Sequence, residues 1–153
     1  MEKISLKLYE FYNLDSELNG VTNQQTGEKV SAGLLAEKLK LADKYWLTEL
    51  AKKATAEKAA VESLKEELIK KHGEADETGN ISIPMYIDIV KDEEGKIVDG
   101  KNNPKFIEFQ NEFNLLLQEE KELEYKPFQL SALENIESDG NYPTFFKLIE
   151  VGE

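Results

Sequence analysis

His72 is the single histidine of this 153-residue chain, and there is no cysteine, so nucleophilic and metal-ligating options are few. A serine relay needs a nucleophile on a glycine-flanked turn, and no serine here has that setting. His72 instead follows Lys70 and Lys71 at the end of a helical pattern, where positive side chains suit the negative end of the helix dipole. Asp76, Thr78 and Asn80 present alternate oxygens in the manner of a calcium loop. The loop's central glycine is missing and no distal bidentate glutamate stands in register, so a plain turn is expected. Asp92, Glu93 and Glu94 could hold a divalent ion or a basic partner, but beside Gly95 they read as the solvated tip of a hairpin. Paired carboxylates for glycosidic acid–base work are defined by spatial separation, which an acid-rich sequence leaves open. Nothing resembles GxGxxG or a P-loop. The absence of cysteine removes disulfides, thiolate nucleophiles, iron–sulfur clusters and cysteine-ligated zinc. No catalytic residue, no cofactor and no metal ligand is expected, and no enzymatic activity.

What remains is architecture, built around the stretch from Ser31 to His72. It contains no proline and one glycine, Gly33, near its start. Leu35, Leu39, Ala42, Trp46, Leu50, Ala54, Val61, Leu64 and Leu68 recur at threes and fours, with Glu57 the one polar interruption. Their mean step of about 3.67 residues favours a nearly straight helix over a left-handed coiled-coil seam. Ser31 can cap its start and Gly73 can take the left-handed position after its end. Leu34, Leu41, Tyr45 and Leu47 give the first half a second apolar flank, so that half is expected to be the more deeply buried. At about 1.5 Å per residue such a helix is roughly 60 Å long, against a radius of gyration near 15 Å for a globule of this size. One end is expected to project or to dock on something else.

Before this helix, Ile4, Leu6 and Leu8 alternate like a strand, while Ile4, Leu8, Phe11 and Leu18 share a helical face. A short helix from about Ser5 is expected, ended by Asn19 and Gly20. After Gly73, Ile81, Ile83, Met85, Ile87 and Ile89 keep period two, giving a strand with one buried face, and Pro84 places it at a sheet edge. With the turn at 92–95 and the return Ile97-Val98, this forms a β-hairpin over about 81–98. Asn103-Pro104 starts a second helix over about 104–123, carrying Phe106, Phe109, Phe113, Leu116 and Leu117. That aromatic stripe is expected to lie along the first half of the long helix and to dominate the core, at roughly 1.5 to 3 kcal/mol per buried phenylalanine. Tyr125–Leu130 reads as extended, Ser131 to Glu134 as a capping box, and Pro143 as the start of a last short helix that ties down the tail. The fold class is α+β: a single domain over 1–153, with one long helix packed against an aromatic-rich second helix and a small antiparallel hairpin.

The net charge is −12, and every basic residue is a lysine. Residues 1–30 and 31–73 carry −2 and +2, so the whole excess lies in 74–153. Direct nucleic-acid binding is disfavoured, since phosphate contacts need positive charge and guanine readout favours arginine. There is no apolar run of the signal-peptide kind and none near the roughly 18 residues of a membrane span. A soluble protein of the cytoplasm is expected, without membrane partners.

The passage Glu66-Glu67-Leu68-Ile69-Lys70-Lys71-His72-Gly73-Glu74, followed by Asp76-Glu77 and Gly79-Asn80, resembles small bacteriophage proteins of unknown function. The likeness resumes at Glu108-Phe109, at Leu115-Leu116-Leu117 and at Phe128-Gln129-Leu130-Ser131-Ala132-Leu133-Glu134. It covers about the last two-thirds of the chain, and the hairpin from Ile81 to Val98 departs from the group's shorter pattern. The resemblance brings no catalytic residues. It implies a phage origin, a place in virion structure or assembly, and residence in the host cytoplasm during infection or in the virion. Action by protein–protein binding is therefore expected, with self or other virion proteins as partners. An acidic inhibitor of a host or defence nucleic-acid-binding protein is the alternative that the carboxyl-half charge suits. The expected interface is Val61, Leu64, Leu68 and Ile69, an apolar strip on the distal half of the long helix.

Overall fold

The structure, a computed structural model, describes residues 1–134, 136 and 142–150. In chain order the elements are β1 (Glu2–Lys7), α1 (Leu8–Asn19), β2 (Val21–Thr22), β3 (Lys29–Ser31), a 3-10 turn (Leu34–Ala36) and α2 (Leu41–His72). There follow β4 (Glu74–Ala75), β5 (Ile81–Ser82), β6 (Tyr86–Lys91), β7 (Ile97–Asn102), α3 (Pro104–Leu117), β8 (Glu120–Tyr125), β9 (Phe128–Gln129), a second 3-10 turn (Leu130–Leu133), α4 (Pro143–Phe146) and β10 (Ile149–Glu150). The class is α+β, with a long helix, an aromatic-bearing helix and small sheets of two strands each. The chain divides into two compact units: 1–60 with 119–153, and 61–118. Helix α2 supplies residues to both.

In the first unit β1 pairs antiparallel with β8, from Glu2↔Tyr125 to Lys7↔Glu120. This corrects two expectations. The alternation of Ile4 and Leu6 prevails over the helical reading because a partner strand exists, and helix α1 begins only at Leu8. The acidic run after Leu117 does not prolong α3 to 123. Carboxylates are unfavourable at a helix carboxyl end, whereas in β8 Glu122 lies 3.5 Å from Lys3, and Lys121 of the same strand pairs with Glu57 of α2.

The long helix also starts later than Ser31. Ser31 is the last residue of β3, paired with Val21, and Leu34 is buried in the 3-10 turn. Gly20 and Gly33, both at positive φ, lie back to back: a Cβ on Gly33 would come within 2.4 Å of the Gly20 nitrogen. That approach takes residues 29–33 out of any helix, and α2 runs unbroken from Leu41 onward. Of the expected second flank, Leu34 and Leu47 are buried, but Leu41 and Tyr45 are exposed.

The first unit holds the main core. Phe11, Leu14 and Leu18 of α1 meet Leu47, Leu50, Ala51 and Ala54 of α2, with Leu6, Leu123, Phe128, Phe145 and Leu148 closing the cluster. The small side chains of Ala51 and Ala54 are both buried in this cluster. Buried Glu17 accepts the N–H groups of Thr144 and Phe145 at 2.9 and 3.1 Å, satisfying donors at the start of α4 that the short helix leaves open. Lys147 pairs with Glu10, and β10 pairs in parallel with β9.

In the second unit α3 lies against the distal half of α2, not the first half: Lys71 reaches Glu112 at 3.3 Å and Lys65 stands over the Phe113 ring. Among the aromatic stripe Phe109 alone is buried, with Phe106 and Phe113 half-buried, so the stripe does not dominate the core. A unit this short has too little chain to surround three phenylalanines. Asn103 caps α3 as expected, accepting the Lys105 N–H, and its amide donates to Pro84.

Candidate protein-interaction surface

The four residues expected to form an apolar strip occupy different environments. Val61 is buried, Leu68 and Ile69 are half-buried, and Leu64 is 43% exposed. Leu64 and Leu68 do come together, with Leu116 of α3, in an open cleft of about 410 Å³ rimmed by Glu67, Lys71 and Glu112. Its floor is apolar and its rim carries both signs of charge.

His72 closes the helix near this cleft. Its side chain is 9% exposed, with Nδ1 at 3.6 Å from Glu108 and Nε2 at 3.4 Å from Glu112, one helical turn apart on α3. The Nε2 atom is buried without a hydrogen bond. Desolvation raises the Glu112 carboxyl, but the hydrogen bond from Lys71 and the positive charge beside it outweigh this, and the net shift is downward. A histidine held between carboxylates is a structural clasp here. The dipole reading of His72 foresaw its place at the helix end and missed its α3 partners.

The acidic turns hold themselves. Asp76 Oδ1 accepts the N–H groups of Thr78 and Asn80 and the Thr78 hydroxyl, at 2.8, 3.0 and 2.7 Å. The Thr78 hydroxyl, ahead of the opposing desolvation, keeps the Asp76 carboxyl below its ordinary value, with the backbone donors adding to it. Asp92 repeats the pattern with Glu94 and Lys96. Among the described residues no group of three or more His, Asp or Glu side chains is arranged to hold a metal ion.

The largest departure from expectation lies between Ile81 and Asn102. The period-two run is broken at Pro84 into β5, paired with β4, and β6, paired with β7; the return strand extends to Asn102. Neither β6 nor β7 buries a face. Every residue of both strands is exposed, and Tyr86, Ile87, Ile89, Val90, Ile97 and Val98 lie between 38% and 62% exposed. The strand carries two irregularities in its pairing, with Asp88 at φ 52 in β6. Alternation showed that this segment has apolar side chains but not whether anything covers them. Monomeric proteins rarely leave so much contiguous apolar strand in water, and a two-stranded hairpin alone is marginally stable.

No helix among the described residues is long and apolar enough to cross a membrane. The chain matches no family model, no curated protein and no solved structure.

Proposed function

We propose that this protein is a non-enzymatic bacteriophage component that works by binding other protein, as part of virion structure or assembly. The exposed apolar strands β6 and β7 carry the reading, since their side chains have the composition of an interface and no covering within the strands themselves. The cleft at Leu64 and Leu68 offers a second apolar surface in the same unit. The phage assignment rests on the sequence resemblance from Glu66 to Asn80 and beyond. The test is the composition of purified particles and assembly intermediates of the phage that encodes the chain. A defined copy number in either is expected. Absence from both, with an early complex on a host nucleic-acid-binding protein, would replace this reading with that of an acidic inhibitor.

A further inference from the structure

We infer that a second copy of this chain covers the hairpin, by antiparallel pairing of β7 with β7 about Gly100; this rests on the protein-binding reading above. Each strand of a two-stranded sheet has one open edge, but the two edges differ. The β6 edge is interrupted by Asp88 at positive φ and preceded by Pro84, devices that blunt an edge. The β7 edge has neither, and its one irregularity, the extra residue Val98, lies toward the turn and away from Gly100.

Gly100 stands opposite the bulge at residues 88–89 of β6, and no close contact within the chain requires a glycine there. Its φ lies outside the left-handed region, and a Cβ there would meet its nearest atoms at 3.8 Å, an ordinary contact. Glycine inside a strand weakens it and often marks close approach of another backbone. A twofold axis at Gly100 sets Gly100 against Gly100, Asp99 against Lys101 and Lys101 against Asp99. Both charge pairs are then complementary, the favourable arrangement for residues directly opposed across a sheet. The Gly100 N–H, which now donates to the Asp99 carboxylate at 2.8 Å, would exchange that local bond for a strand partner and free the carboxylate for lysine.

Electrostatics select this orientation and this occupant. Strands β6 and β7 are neutral, with Asp88 and Asp99 balancing Lys91 and Lys101, in a chain of net charge −12. The edge itself therefore adds no local repulsion between two copies, and its Asp99 and Lys101 are complementary to those of a second copy. Antiparallel pairing puts the acidic tips at Asp92–Glu94 roughly 33 Å apart at about 3.3 Å per residue, several Debye lengths at physiological salt. Parallel pairing would bring them together.

The test is sedimentation and light scattering of the full chain over a range of concentration, on wild type, Asp99→Lys, Lys101→Asp and the double swap. A wild-type dimer is expected, with each single change weakening it by roughly tenfold and the double swap restoring it. Circular dichroism of each variant separates lost pairing from lost folding, and the double swap keeps composition constant. A wild-type monomer at all concentrations overturns the inference, as does a dimer indifferent to the single changes or not restored by the swap. A monomer that is still present in particles would overturn the second copy alone and leave the protein-binding reading standing.

Discussion

Oε1 of Glu112 accepts Lys71 Nζ at 3.3 Å and lies 3.4 Å from Nε2 of the neighbouring His72, so one carboxylate on α3 holds the last turn of α2. The net downward shift of Glu112 fixes the sign of its pH dependence. A depressed folded value means that the contribution is complete above the ordinary glutamate value and disappears as pH falls through the depressed one. Glu112→Gln is expected to lower the melting temperature at neutral pH and to leave a smaller loss between pH 5 and pH 3 than wild type shows. Thermal melts across that window check it; parallel acid limbs would remove Glu112 from the clasp.

The same reasoning applies to Glu10 in the first unit. Burial raises its carboxyl, but the Lys147 hydrogen bond, the Lys7 N–H and the charges of both lysines outweigh it and the net shift is downward. Glu10→Gln should therefore destabilise above the ordinary glutamate value and become neutral well below it. Urea unfolding at neutral and acid pH measures the difference. Equal loss at both would show that the side chain matters through packing alone.

Glu17 reaches across nearly the whole sequence to the amides of Thr144 and Phe145. Glu17→Ala leaves those donors without the carboxylate, and a loss of about 1 to 3 kcal/mol is expected. Hydrogen exchange should show faster amides at 144 and 145 in the variant. Unchanged exchange would mean that α4 is held by Phe145 and Leu148 without this cap.

Gly33→Val should destabilise by more than about 1 kcal/mol, because the position combines φ +80 with a Cβ site 2.4 Å from the Gly20 nitrogen. For contrast, Leu14→Ala in the core should cost roughly 2 to 5 kcal/mol, and Leu64→Ala, at an exposed site, within about 0.5 kcal/mol. Denaturant titration of the three variants ranks them. A large loss at Leu64 would show that its role is folding and not recognition.

The distal part of α2, the cap of α3 at Asn103 and the final turn at Pro143 were legible in the sequence because each depends on neighbours within one or two turns. Three features were not, for a shared reason. The helix start moved from Ser31 to Leu41 because Gly20 packs on Gly33. Residues 120–125 became a strand because β1, at the other end of the chain, pairs with them. Alternation at Ile81–Ile89 announced apolar side chains but held no information on what lies over them. Within the candidate surface, Leu64 and Leu68 were readable from helical spacing. The hairpin was missed as a surface, although Gly100 in a strand and Pro84 before one were signals pointing to it.

Hydrogen exchange of residues 86–102 in the full chain, at low and high protein concentration, tests most directly that these strands are a protein-binding face. Protection at 97–102 should rise with concentration, while amides of the first-unit core stay equally protected throughout. Fast exchange over 86–102 at every concentration, and also in the presence of assembled particles, would contradict the role assigned to the hairpin.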